Sequence, residues 1–263
     1  MDAPTLSALT SRLRKLNREQ LLRLPHDQLA QIDYLLRDVE HDRIDARCAD
    51  LAAEPIKACT GFRAREDAGC LWWLQNHTKT HDEHWMAKGT PQRAPFPRKG
   101  YFPFVVGAFL QPVVQPSPQA HVLFLPKSRE MMVSWLSCGF IAWLCQFQPN
   151  TFWLIQSAKE DKAGELVRYV HTLWEEQEPW QKERHPLAYS TFLEMGWKNG
   201  SRVLGVAQGQ DQARTYHPWG VFVDEAAFLP GFQQALESAR PVAKFVLAVS
   251  TGAPGFFGDQ CSE

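Results

Sequence analysis

The segment WGVFVDEAAF (219–228) carries the most specific chemical pattern in the chain. A short apolar run, Gly220 to Val223, ends in two adjacent carboxylates, Asp224 and Glu225. In an open parallel sheet, ligands gather beyond the carboxyl ends of the strands. Successive strand residues point to opposite faces, so the spacing predicts different jobs for the two acids. Asp224 suits holding the water shell of a Mg²⁺ beside phosphates, because that ion prefers few carboxylates and several waters. Glu225 suits polarising an attacking water. The competing reading is a solvated strand end with two incidental acids.

Phosphate chemistry needs a second element, and a strand–turn–helix pattern upstream has the right topology. HVLFLP (121–126) is an apolar run, KSREMMVS (127–134) a polar turn, and WLSCGFIAWL an apolar helix. A turn feeding a helix offers an anion unpaired backbone N–H groups and the positive end of the helix dipole. Lys127 and Arg129 add mobile positive charge, and Ser134 adds a hydroxyl suited to Mg²⁺. The usual GxxxxGK(S/T) spacing is absent. No glycine lies between Pro126 and Gly139, and Val133 occupies the place before the hydroxyl residue where lysine normally sits. Taken alone, this pattern is equally that of a solvated basic turn.

Three further groups are candidates. Arg214, with Gln210 and Asp211, precedes the acidic strand; a charged loop there could sense a γ-phosphate or reach a neighbouring subunit, and an arginine finger is worth about 10³–10⁵ in rate. An ordinary surface arginine is the even alternative. Tyr101, Phe102 or Phe104 could stack on a base, although core packing is the simpler expectation for each. CLWWLQNHTKTHDEHW holds Cys70, His77, His81 and His84, and a continuous helix would align the three imidazoles toward Zn²⁺. Against zinc, the segment has no HExxH glutamate and no paired CxxC.

The elements that must position these residues follow from periodicity. Apolar strand candidates at 121–126, 151–158, 201–207, 219–228 and 244–251 alternate with a buried helix at 131–147 and an amphipathic one at 159–177. That alternation predicts an α/β fold with a mostly parallel sheet covered on both faces. Residues 1–54 show helical spacing (Leu6, Leu9, Leu13, Leu16, then Leu29, Ile32, Leu35, Leu36), which predicts a small helical appendage. Residues 55–120 are rich in proline and read as a loop-rich lead-in with short helices around 65–75 and 102–111.

Composition sets the outer limits. With 263 residues and 44% hydrophobic side chains, the chain is not disordered and suits one large domain plus an appendage. A net charge of −1 argues against a general polyanion-coating protein but leaves room for a local basic face. Six scattered cysteines read as reduced thiols, and the N-terminus has no apolar signal core. The charge-free run from Met131 to Ala158 is better explained as a buried helix followed by a buried strand than as a membrane span.

Taken together, PKSREMMVSW, TFWLIQSAKEDKAGELV, GQDQARTYHPWGVFVDEAAF and FVLAVSTGAPG resemble the ATPase part of the large subunits of phage terminases, the DNA-packaging motors of tailed bacteriophages and prophages. Many of that family carry a displaced Walker A of the form K-(S/A)-R-Q-x-x-x-S-W. The resemblance, over roughly residues 70–258, implies a P-loop fold of the ASCE type. It makes Lys127 the phosphate lysine, with Ser128 in the same binding turn. Arg129 becomes a second phosphate contact or cis arginine finger, and Ser134 the Mg²⁺-side hydroxyl. Asp224 and Glu225 correspond to the Walker B aspartate and catalytic glutamate, and Ser250 and Thr251 to the motif coupling hydrolysis to movement. Two departures stand out. Met132 occupies a place where family loops often have glycine, and the chain ends at Glu263, where the family continues into an RNase H-like nuclease.

The expectation is therefore an ATPase core over 121–263 that uses ATP and Mg²⁺, without nuclease activity, as a fragment or truncated product. Family analogy adds double-stranded DNA, the portal protein and the small terminase subunit as partners, and a homo-oligomeric ring. It also implies the cytoplasm of a bacterial host, with transient docking at the procapsid portal. Alternatives are another helicase-like oligomeric ATPase, or an inactive module that binds partners, a reading favoured by the missing glycines.

Overall fold

A computed structural model of the chain describes residues 69–81, 86, 89, 92–207, 209 and 212–262. The expected helical appendage (1–54) lies outside these residues, as does the start of the lead-in segment (55–68). The first described elements are helix α1 (Gly69–His77), the antiparallel pair β1 (Lys79–His81) and β2 (Arg93–Pro95), and helix α2 (Phe102–Val114). Then come β3 (His121–Lys127), α3 (Val133–Phe147), β4 (Phe152–Ser157), α4 (Glu160–Glu175) and α5 (Pro179–Arg184). A hairpin of β5 (Leu187–Ser190) and β6 (Glu194–Trp197) leads to β7 (Arg202–Ala207), α6 (Gln212–Tyr216) and β8 (Gly220–Asp224). The last elements are α7 (Phe232–Ala239), β9 (Phe245–Thr251) and α8 (Phe256–Gln260).

One seven-stranded sheet, ordered β3-β9-β8-β4-β7-β6-β5, organises the described residues. The pairs β3–β9, β9–β8, β8–β4 and β4–β7 are parallel, whereas β6 runs antiparallel to both β7 and β5. The expected mostly parallel α/β sheet is what forms. β3 lies at an edge, which tolerates Pro126: a proline there forfeits no interior ladder bond.

The two-residue strand period sorts side chains into two cores. Trp153, Ile155, Phe222, Phe245, Leu247 and Val249 join α1 to α4 on one face. Leu154, Val221, Val223, Val246 and Ala248 pack with α6, α7 and α8 on the other. The first core is dense in rings: Trp153 meets Phe140 edge-on at 6.0 Å and Phe245 at 5.9 Å. Each such buried side chain contributes about 1.5–3 kcal/mol. Trp135 stacks on Tyr169 at 4.0 Å and 9°, clamping the start of α3 to α4.

The charge-free stretch is divided between α3 and β4, both sunk in the core, and among the described residues no helix is long and apolar enough to cross a membrane. The Cys138 and Cys145 thiols are buried and that of Cys261 is exposed; Cys70 is buried as well. The strand expected over 219–228 ends at Asp224, and Ala226–Phe228 form a 3₁₀ turn instead.

Candidate active site

β3, β8 and β9 bring their C-terminal ends together in register. Lys127 lies opposite Thr251, and Asp224 opposite Val249. Strand parity then decides the face. Phe222, Leu247 and Val249 belong to the core beneath α3, and Leu123 and Leu125 pack against it. Residues two positions further on, Lys127, Asp224 and Thr251, therefore emerge on the α3 side. Six of the residues singled out in the sequence meet at these strand ends: Lys127, Ser134, Asp224, Glu225, Ser250 and Thr251.

Their contacts are direct. Ser134 Oγ donates to Asp224 Oδ1 at 2.9 Å. Lys127 Nζ pairs with Glu225 Oε1 at 2.9 Å. The other carboxylate oxygen, Glu225 Oε2, accepts from Ser250 Oγ at 3.3 Å, from the Thr251 amide at 3.4 Å and from Thr251 Oγ1 at 3.3 Å. The expectation that the two acids face opposite sides of the sheet is corrected by the backbone. Glu225 is left-handed (φ 53°, ψ 41°), so the alternation stops at Asp224 and the next carboxylate bends toward Lys127 and β9.

Their protonation follows from surroundings. Burial pushes the Asp224 carboxyl above its ordinary value, against the opposing pull of the Ser134 hydrogen bond and the Lys127 charge. Burial also acts upward on Glu225, but Lys127, through its hydrogen bond and its charge, and Thr251, through amide and hydroxyl, hold that carboxyl below its usual range. One helical turn past Ser134, burial and the Asp224 charge raise the Cys138 thiol well up, so it stays neutral. Glu225 is thus a ready carboxylate, and Asp224 one that would gain from a cation.

The turn from Lys127 into α3 joins a cation to the start of a helix. Met132, the N-cap of this 15-residue helix, makes no side-chain capping bond and is left-handed (φ 55°, ψ 22°). Glu130 is left-handed as well (φ 62°). The turn thus has a glycine-like backbone at Met132 with a methionine side chain on it. Ser128 and Arg129 are exposed on this turn, and the Ser128 amide is directed at Met131 Sδ.

The remaining candidates fall elsewhere. Arg214 is exposed on α6, whose Ala213 belongs to the core on the opposite face of the sheet from α3; Gln210 and Asp211 lie outside the described residues. Phe102 is buried, as expected, whereas Phe104 is 80% exposed. Tyr101 donates to the Met131 carbonyl, a role that the sequence alone did not suggest. The histidine helix does not form. α1 ends at His77, which pairs with Glu178 at 3.2 Å, while His81 lies in β1 and His84 outside the described residues. Among the described residues no three or more His, Cys, Asp or Glu converge on a metal position. Ser134 and Asp224 do fit Mg²⁺, a hard cation satisfied by one or two protein oxygens and several waters.

Among solved structures, that of the HK97 bacteriophage large terminase is similar, with a TM-score of 0.51 at 12% identity over 70% of this chain. The chain shares the backbone fold of the aligned part of that large terminase. The alignment spans 37% of the HK97 chain. The Thermus phage P74-26 large terminase ATPase domain aligns at a TM-score of 0.41 and 13% identity, covering 68% of this chain and 72% of that domain. A point variant of it gives 0.40 and 14% over 68% and 73%. No protein-family profile and no curated protein sequence matches the chain. The terminase-type likeness is therefore one of backbone architecture at low sequence identity.

Proposed function

We propose that this chain is the ATP-hydrolysing motor domain of a phage large terminase, coupling hydrolysis to the movement of double-stranded DNA into a procapsid at its portal. The observation that carries the reading is the paired contact Lys127–Glu225 and Ser134–Asp224 at the carboxyl ends of β3 and β8, beside a helix start whose N-cap residue, Met132, makes no capping bond. Cation, hydroxyl and two differently held carboxylates are the complement that phosphoryl transfer to water needs.

In this mechanism Lys127 exchanges its Glu225 partner for the phosphate oxygens of ATP. The amides entering α3 and the exposed Arg129 share that negative charge. Glu225, released from Lys127 but still tethered to Ser250 and Thr251, turns its lone pair to orient the attacking water. Mg²⁺, when bound, neutralises charge on the phosphates. Ser134 and Asp224 would hold it, and binding would relieve the burial cost of the Asp224 carboxylate. The tether from Glu225 to β9 gives hydrolysis a mechanical outlet, because a shift of the carboxylate changes what Ser250 and Thr251 hold.

Sequence-independent grip on DNA would come from contacts to the phosphate backbone. At a net charge of −1, this grip belongs to a local patch or to other subunits of a ring. The portal protein and the small terminase subunit are the partners that the reading brings with it. ATP turnover by the chain, with and without double-stranded DNA, tests the proposal against Lys127→Ala and Glu225→Gln. Turnover lost in both variants supports it; equal rates in all three proteins contradict it.

A further inference from the structure

The turn between β3 and α3 adopts a conformation that its own residues disfavour. Left-handed backbone is sterically costly at a non-glycine residue, and Glu130 and Met132 both adopt it. Such a conformation persists only where its surroundings over-determine it. Those surroundings can be named. Lys99 Nζ donates to the Glu130 carbonyl at 3.2 Å, and the Tyr101 hydroxyl donates to the Met131 carbonyl. Both donors come from the short segment that starts α2 and are fixed in turn. The Phe102 amide bonds the Lys99 carbonyl at 3.0 Å, the Tyr101 ring meets the buried Phe102 ring edge-on at 5.0 Å, and the Lys99 ammonium lies 6.0 Å from the Tyr101 ring centre.

These two hydrogen bonds have a geometric consequence. In a trans peptide the C=O and the following N–H point in opposite directions. Drawing the carbonyls of Glu130 and Met131 toward residues 99–101 turns the amides of Met131 and Met132 to the other side of the turn. Successive amides turned to one side next to left-handed residues, here Glu130 and Met132, form an anion-binding concavity.

We propose that Tyr101 and Lys99 are positioning residues for the phosphate site: from outside the turn they impose the backbone that glycines impose from within in a GxxxxGK(S/T) loop. This inference rests on the nucleotide-binding reading above. It explains how a turn without glycine between Pro126 and Gly139 can present its backbone to phosphates.

The test uses the full chain and a fluorescent ATP analogue titrated in Mg²⁺, with ATP turnover measured alongside. Tyr101→Phe removes one hydroxyl and keeps the ring. Lys99→Met removes the other donor from a more exposed position, and guards against a Tyr101→Phe protein that fails to fold. Each is expected to weaken nucleotide binding by about three- to ten-fold, the worth of one hydrogen bond. Adding Met132→Gly to either should recover most of that loss, since glycine adopts the left-handed turn unaided. Wild-type-like affinity in both single variants overturns the proposal while leaving the nucleotide site standing. A loss that Met132→Gly does not relieve also overturns it, because Tyr101 and Lys99 would then serve only to anchor α2. Failure of the wild-type chain to bind the analogue would instead sink the nucleotide reading itself.

Discussion

Lys127 and Glu225, 98 positions apart in the chain, meet at 2.9 Å with Lys127 Nζ donating to Oε1. Under the proposed mechanism, the cation for phosphate is held by the carboxylate for water. Nucleotide binding and activation of Glu225 would then be one exchange, in which phosphates displace the carboxylate from the lysine. Such a site would keep its base occupied until ATP arrives.

Glu225→Gln separates the two halves of that exchange. Hydrolysis should fall by about 10²–10⁴, the usual worth of a general base. ATP affinity should rise by about two- to five-fold, because the lost ion pair is partly exposed and such pairs are worth about 1 kcal/mol or less. Single-turnover hydrolysis and equilibrium titration read the two effects independently. Unchanged or weaker binding would show that the pair does not compete with nucleotide.

Asp224→Asn should stabilise the metal-free fold at neutral pH. The Asp224 carboxyl is raised by burial, so its ionisation opposes folding above its unfolded value; as pH falls through the folded value, protonation relieves that penalty. The neutral amide removes the penalty at all pH, and melting should rise by roughly 2–4 °C for each kcal/mol relieved. ATP turnover should be lost at the same time, a trade of function for stability. A lower melting temperature at pH 7 would contradict this picture of Asp224.

Thr251→Val removes a hydroxyl that helps keep the Glu225 carboxyl low. Because a depressed carboxyl stays ionised to lower pH, loss of that bond should move the acid limb of the kcat–pH profile upward. The same linkage applies to stability, which Glu225 supports above its unfolded value and ceases to support as pH falls through its folded one. An acid limb that does not move would detach Thr251 from Glu225.

Much of this architecture was legible in the chain because its signals are local. The apolar run of β8 ending in Asp224 and Glu225, the alternation of strands with α3 and α4, and the basic turn at Lys127 are all sequence-adjacent patterns. The hairpin β5–β6 was not legible, since Tyr189, Ser190, Thr191 and Glu194 give it a mostly polar, weakly alternating face. α7 does space Phe232, Leu236 and Ala239 helically, but over fewer than the ~10–12 residues at which such a period stands out. The bend at Glu225 and the grip of Tyr101 on the Met131 carbonyl had no local mark. The first depends on β9 contacts 25 and 26 residues away, the second on a contact spanning 30.

Gly220 shows how closely β8 is packed. A Cβ there would come within 2.6 Å of the buried Trp153 ring, in the strand that delivers Asp224. Gly220→Ala should destabilise the chain by about 1–3 kcal/mol, the cost of overpacking. Gly100→Ala, with nothing within 4 Å of its added methyl, should stay within about 0.5 kcal/mol of wild type. Chemical denaturation of both proteins checks the contrast.

A crystal structure of the chain with Mg²⁺ and a non-hydrolysable ATP analogue addresses the phosphate site most directly. The phosphates should lie between residues 127–134 and the pair Asp224 and Glu225, with Lys127 Nζ moved from Glu225 to a phosphate oxygen. An analogue bound elsewhere, or one bound with the 2.9 Å Lys127–Glu225 contact intact, would contradict the assignment.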